Sequence, residues 1–343
     1  MKSSQNKTVN VGLIGAGAIG SFHGESIARR VHGAQLAAIA DPVAGVAQRL
    51  ADRLGCSNAT TDAAQIIANP DIDAIIIAAP ARFHSGLVVA AAEAGKAVFC
   101  EKPMALTIEE ADRAIDAARA AGVPLQVGFN RRYDKAWADA HRSVVAGDLG
   151  RPQLLRSLTR DPELADPTRV PPWAIFVETL IHDFDTLRFL NPGSEVVEVH
   201  TLADALVRPD FKSRGLLDTA LVSLRFDNGA MACAEANFQA VYGYDVRGEV
   251  FGSGGMVTLG EVRRSNATYF GANGVSSPTT RLNTDLFHDA YTAQLTGFIE
   301  TVRSGEVSGP TGEAARAALA IALACIRSVI EARPVRIAEV LPA

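Results

Sequence analysis

Val9-Asn10-Val11-Gly12-Leu13-Ile14-Gly15-Ala16-Gly17-Ala18-Ile19-Gly20 is the stretch whose reading decides the fold. Residues 9–14 form an apolar run of strand length, and the G-x-G-x-x-G behind it opens a helix predicted to run to about residue 31. The three glycines have separate tasks. Gly15 makes the tight turn, Gly17 lets the backbone approach a pyrophosphate at the positive end of a helix, and Gly20 lets helix and strand pack closely. Residues 35–40 read as a second strand ending at Asp41, 21 residues after Gly20, where a carboxylate holds ribose hydroxyls. Glycines that merely open a turn, with Asp41-Pro42 starting a helix, are the plainer alternative. Strand, loop and acid in this order point instead to a dinucleotide. Asp41 repels the extra phosphate of NADP, and Pro42-Val43 supplies no arginine to receive it, so the expected cofactor is NAD.

Outward from this unit the alternation continues. Helices are expected at 42–54, 84–94 and 107–121, and strands at 73–79, 97–100 and 125–128. The triple isoleucine of 73–79 marks a central strand buried on both faces, and Pro80 stops it. This is the pattern of an α/β Rossmann domain with a parallel sheet, ending near residue 128. Beyond it the rhythm changes to one helix at 178–190 and β-rich segments at 196–202, 219–226, 230–238, 246–251 and 256–259. Asp227-Asn228-Gly229 and Gly252-Ser253-Gly254-Gly255 are turn signals that suggest antiparallel hairpins. Residues 129–343 are therefore expected to form an α+β domain, with helices near 286–303 and 313–331 packed on one face of its sheet.

Composition sets the outer limits. The chain has 343 residues, 33 Lys+Arg against 38 Asp+Glu, and a net charge of -5. It carries no basic cluster, so nucleic acid is not an expected partner. The four cysteines are far apart with no C-x-x-C pair, which suits a reducing cytoplasm better than a disulfide framework. The longest apolar helical run, 317–326, has ten residues, short of the roughly 20 that cross a bilayer, and no membrane association is expected. Lys2 and Lys7 before an apolar stretch imitate a secretory signal, but the glycines inside that stretch belong to the phosphate loop.

Two constellations carry candidate chemistry. Glu101-Lys102-Pro103 follows the strand at 97–100 and so lies at the carboxyl end of the sheet, where open α/β folds bind ligands. Glu178, His182 and Asp185 stand at i, i+4 and i+7, which on a regular helix gives one face bearing a base flanked by two carboxylates. The same spacing also suits a metal or an ordinary salt-bridged helix, although no further His or Cys ligand is near and no metal is expected. Arg132, within Asn130-Arg131-Arg132-Tyr133, and Tyr244, within a Tyr242-Gly243-Tyr244-Asp245 hairpin, are further candidates to bind substrate.

These residues together resemble the Gfo/Idh/MocA oxidoreductases, and among them the inositol dehydrogenases. The resemblance rests on Gly15 to Gly20, Asp41, Pro80 with His84, Glu101-Lys102-Pro103, Gly128-Phe129-Asn130-Arg131-Arg132, Ile181-His182-Asp183-Phe184-Asp185 and Tyr242-Gly243-Tyr244-Asp245. It implies an NAD-dependent dehydrogenase of a cyclic polyol or sugar, with a C-terminal open-faced, mostly antiparallel sheet through which a homotetramer assembles. Lys102, Glu178 and His182 map to the family's catalytic residues. Gly15, Gly17, Ala18, Ile19, Gly20, Asp41, Ala79, Pro80, His84, Glu101 and Lys102 fall on its cofactor site, and Arg132, Asp185 and Tyr244 on its substrate site. The chain departs from inositol dehydrogenases at Glu178, where they commonly have Asp, and at Ala174-Ile175-Phe176, where a glycine pair is often found. An NAD-using glycosidase or lyase, in which the oxidation is transient, and a non-catalytic nucleotide sensor are the alternatives from other classes.

Overall fold

The computed structural model describes residues 8–163 and 166–342. The chain divides into two compact units, one made of the chain up to Tyr133 with Asp289–Arg316, the other of Asp134–His288 with the chain from Ala317 on.

The first unit is built on a parallel sheet. Its elements are β1 (Val9–Ile14), α1 (Ala18–Arg29), β2 (Ala34–Ala40), α2 (Val46–Leu54), β3 (Ala59–Thr60), α3 (Ala63–Ala68), β4 (Ala74–Ile77), α4 (His84–Glu93), β5 (Ala97–Cys100), α5 (Ile108–Ala121) and β6 (Leu125–Val127). The strand order β3-β2-β1-β4-β5-β6 puts β1 and β4 at the centre. Both faces of a parallel sheet are covered by its crossover helices, which is why Ile75, Ile76 and Ile77 show no exposure at all. Helix ends follow local chemistry: the Thr107 hydroxyl accepts from Glu110 N–H at the start of α5, and Gly122 in the left-handed region ends it.

The second unit begins with α6 (Lys135–Ala146) and β7 (Pro152–Arg160), a strand for which the sequence offers no clear alternation. A π-helical stretch, Ile175–Leu180, runs into α7 (Ile181–Phe189), and β8 (Val196–Asp204), β9 (Thr219–Phe226), β10 (Met231–Asn237), β11 (Asp245–Gly252) and β12 (Met256–Leu259) follow. A short hairpin, β13 (Tyr269–Gly271) with β14 (Gly274–Ser276), and the single turn α8 (Asn283–Leu286) precede α9 (His288–Ser304), α10 (Gly312–Glu331) and β15 (Val335–Arg336). The large sheet has the order β12-β11-β7-β10-β9-β8-β15 and is antiparallel except where β10 runs parallel to β7.

One face of this sheet is core, with Ala220, Val222, Leu224 and Phe226 of β9 turned inward. The other is open, as expected for an antiparallel sheet covered on one side. Across it Met256, Phe251, Leu154 and Met231 stand in register on four strands, 54%, 42%, 49% and 50% exposed.

Two expectations are corrected. Helix α9 does not pack on the large sheet: Leu295, Phe298 and Ile299 join the core of the first unit, where Phe298 lies 5.7 Å from Phe99. Amphipathicity shows that a helix has a buried face, not which sheet covers it. The Tyr242-Gly243-Tyr244-Asp245 segment is not a hairpin either, because β10 and β11 lie on opposite sides of β7 and the segment crosses over that strand. Among the described residues no helix is long and apolar enough to cross a membrane.

Candidate active site

In the first unit the candidates follow successive strands at the carboxyl edge of the sheet: Gly15 after β1, Asp41 after β2, Ala79 and Pro80 after β4, Glu101 and Lys102 after β5. Gly15 has φ +96°, and a Cβ on it would stand 2.5 Å from the Ala78 carbonyl oxygen. At Gly20 a Cβ would fall 2.0 Å from the Gly15 carbonyl oxygen, so α1 presses directly on the loop. Around Gly17 no atom lies within 4 Å of that position, which leaves the backbone open to a ligand. Gly17 caps α1 without a side-chain acceptor, so the amides of the first turn, beginning at Ala18, are available to an anion, while Ile19 packs partly buried on the core.

Asp41 is tied to this loop. Its Oδ2 accepts the Ala16 N–H at 2.9 Å and its Oδ1 accepts the Val43 N–H at 3.0 Å. An open glycine loop with an acid fixed beside it fits NAD, whose phosphates Gly15, Gly17 and Ala18 would hold and whose ribose Asp41 would meet.

The segment Glu101-Lys102-Pro103 contains a cis peptide bond before Pro103. Glu101 is buried, with Oε1 2.7 Å from His23 Nε2 and Oε2 accepting the Lys102 N–H at 3.2 Å. Burial acts to raise this carboxyl, but the hydrogen bond and charge of His23, together with Lys102, hold it below the usual carboxylate range. The carboxylate has room because residue 128 is glycine: a Cβ there would lie 2.9 Å from it. His84 is 2% exposed and spends both ring nitrogens on backbone, Nδ1 2.8 Å from the Pro103 oxygen and Nε2 2.6 Å from the Ala79 oxygen. Arg132 is half-buried in the short turn Asn130–Tyr133, and the neighbouring Arg131 is buried.

In the second unit the helix bearing Glu178 and His182 is not regular. Glu178 sits in the π-helical stretch and His182 in the first turn of α7, so the i, i+4, i+7 stripe expected of a uniform helix does not hold. Glu178 and His182 are partly exposed, whereas Asp185 is buried at 1% exposure. π-Helical turns are rare and concentrate at functional sites, because the wider turn re-aims a side chain. Trp173, just ahead of this stretch, has φ +61°, a left-handed conformation that a bulky residue seldom adopts.

Asp183 is the residue that pattern reading passes over. It is fully buried and accepts from the hydroxyls of Ser157 and Thr159, fastening the first turn of α7 to β7. His23 is the other. It lies three residues after Gly20, and both stand on the buried face of α1, where a polar side chain needs a buried partner. That position was the available signal.

Tyr244 is half-buried, its N–H bonded to the Thr280 oxygen at 2.7 Å, and burial with the nearby Asp161 pushes its hydroxyl well up from the usual phenol range. Asp245 accepts from Tyr242 Oη at 2.8 Å and from Arg247 Nε at 2.6 Å. A hollow of about 790 Å³ on this unit is lined by Arg160, Leu202, Leu221, Glu235, Asn237 and Tyr242, and belongs to the open face of the sheet rather than to His182.

Comparison with known proteins accounts for both units. The chain is 35% identical over 331 residues, 96% of each chain, to scyllo-inositol 2-dehydrogenase (NAD(+)) of Bacillus subtilis strain 168. It is 36% identical to myo-inositol 2-dehydrogenase of Thermotoga maritima, over 97% of this chain and 100% of that one. Among solved structures, scyllo-inositol dehydrogenase from Lactobacillus casei with bound cofactor NAD(H) and scyllo-inositol superposes with a TM-score of 0.92 at 28% identity, over 97% of this chain and 100% of that one. Residues 9–129 match the family model for the oxidoreductase family with an NAD-binding Rossmann fold, and residues 137–258 match the GFO/IDH/MocA C-terminal domain. With both domains matched and the relatives covered almost end to end, the chain belongs to the Gfo/Idh/MocA family of NAD-binding oxidoreductases.

Proposed function

We propose that this protein oxidises one ring CH–OH of a cyclic polyol, an inositol, to the ketone. The observation that carries the reading is that its likeness to proteins named inositol 2-dehydrogenases runs through both units and not the nucleotide fold alone. Oxidation of the alcohol releases a proton and a hydride, and NAD, when bound, accepts the hydride. His182 takes the hydroxyl proton, a role suited to a partly exposed imidazole on an anchored helix. Lys102 donates to the substrate oxygen and stabilises the negative charge that grows there. Glu178 orients His182 or a neighbouring hydroxyl, and Arg132, Asp185 and Tyr244 are assigned to the remaining hydroxyls. Asp41 makes NAD the preferred cofactor over NADP.

The test is a panel of myo-, scyllo- and chiro-inositols and common aldoses, followed by absorbance of the reduced cofactor with NAD and with NADP. NADH formation with at least one inositol is expected, with kcat/KM for NADP lower by about a hundred-fold or more, as a repelled phosphate without an arginine partner implies. No turnover of any polyol, with glycosides cleaved without net NADH, would assign the chain to the other chemistry.

We further propose a homotetramer assembled through the open sheet face. The in-register row Met256, Phe251, Leu154 and Met231 gives that face a continuous apolar strip of the kind that a second copy of the same sheet covers. Sedimentation velocity is expected to give a tetramer, and Leu154→Lys with Met231→Lys to give smaller species. A wild-type monomer at micromolar concentration overturns this assignment.

A further inference from the structure

Lys102 is flanked on both sides by residues that buried histidines hold. On its N-terminal side Glu101 meets His23 of α1, which has no solvent exposure, at 2.7 Å from Nε2. On its C-terminal side the Pro103 oxygen meets His84, the first residue of α4, at 2.8 Å from Nδ1, while Nε2 of the same ring reaches the Ala79 oxygen at 2.6 Å. Two helices and the end of β4 thus converge on three consecutive residues. We propose that His23 and His84 are positioning residues that fix the backbone on either side of Lys102 and thereby aim its ammonium group at the substrate oxygen. The proposal rests on the assignment of Lys102 to the reaction.

The chemistry of each contact supports this role. A carbonyl oxygen only accepts, so the ring nitrogen of His84 that carries hydrogen donates to one of these two backbone oxygens while the other nitrogen packs against the second. That ring ties Ala79, beyond the end of β4, to Pro103 in the loop after β5, past the last ladder bond, in which the Glu101 N–H donates to the Ile77 oxygen at 2.9 Å. His23 differs. Its ring lies edge-on to Phe99 and Tyr291, at 5.7 and 5.9 Å between centroids, and its Nδ1 has no hydrogen-bond partner among the described residues. An N–H on Nε2 serves the Glu101 carboxylate, while Nδ1 lies among the aromatic rings. Glu101 passes the constraint on, because its second oxygen accepts the Lys102 N–H. Neither histidine is needed simply to fill space, since a Leu or Phe packs such sites without the cost of burying polar nitrogens.

The test is a double-mutant cycle, read as kcat and KM with NAD and an inositol, together with nitrogen-15 NMR of histidine-labelled protein without cofactor. His23→Leu and His84→Leu are each expected to lower kcat about ten- to a hundred-fold with KM little changed, the effect of displacing a reacting group by about an ångström. In a Lys102→Met background either substitution should add less than about twofold, because a positioning residue has nothing left to aim. His23→Gln, which keeps a donor for Glu101, should recover most of the His23→Leu loss. The spectra should show a hydrogen-bonded N–H on Nε2 of His23 and a hydrogen-bonded N–H on His84, a readout that stands even if a leucine variant does not fold. Losses that multiply undiminished in the Lys102→Met background, or ring N–H groups of His23 and His84 that show no hydrogen bond, overturn the positioning role while leaving the assignment of Lys102 intact. A Lys102→Met enzyme with near-normal kcat overturns both.

Discussion

Lys102→Met is expected to lower kcat about a thousand-fold, with the KM for NAD changed only a few-fold and the thermal midpoint within a few degrees of wild type. Methionine keeps an unbranched stem of similar length and removes the ammonium group. The expected loss is the transition-state stabilisation of one well-placed donor on an oxygen that gains charge, about 3–4 kcal/mol. The fold should tolerate the change because the side chain is half-buried at the sheet edge and the neighbouring groups hold the backbone, not the lysine stem. Steady-state kinetics with NAD and the best inositol, alongside a melting curve, make the measurement. A loss confined to KM would make Lys102 a ground-state binding residue and remove it from the chemical step.

His182→Ala is expected to lower kcat about a hundred- to ten-thousand-fold, the range for loss of a general base. It should also change the form of the pH profile. With no imidazole to take the proton, the alcohol must lose it to solvent hydroxide, so the residual rate keeps climbing as pH rises. The variant should fold, since α7 is fastened to β7 through the neighbouring Asp183, which holds the Ser157 and Thr159 hydroxyls. Kinetics of the variant across pH decide the matter, and a residual rate that is flat with pH would show that another group takes the proton.

The N-terminal half of the fold was open to reading because its signals are local. The glycine loop, the acid ending β2 and the isoleucine run each report on a position within a few residues of themselves. The second unit resisted for a physical reason that begins with β7. Its inward positions are Leu155, Ser157 and Thr159, and the two hydroxyls break the apolar alternation because their partner, Asp183, arrives from a helix far along the chain. With β7 unseen, β10 and β11 look like sequential neighbours, and the crossover between them looks like a hairpin. The π-helical stretch around Glu178 was hidden for another reason: side-chain periodicity over six residues does not distinguish a wide turn from a regular one. Among the candidate site residues, Gly15, Gly17, Asp41 and Lys102 were legible from their place after strands, and Gly20 from its spacing to the first two glycines. His23 and Asp183 were not, since their importance lies in partners 78 and 26 residues away.

The bond from Ala16 N–H to Asp41 makes the acid part of the scaffold of the loop as well as the proposed partner of the ribose. Any redesign toward a phosphorylated cofactor therefore meets an obstacle other than charge. Exchanging Asp41 for a small neutral residue removes the repulsion and at the same stroke releases the amide that holds the first turn of the phosphate loop in place. A successful switch needs two replacements, an arginine for the new phosphate and a fresh acceptor for Ala16, so discrimination between the cofactors and the shape of their common binding site change together.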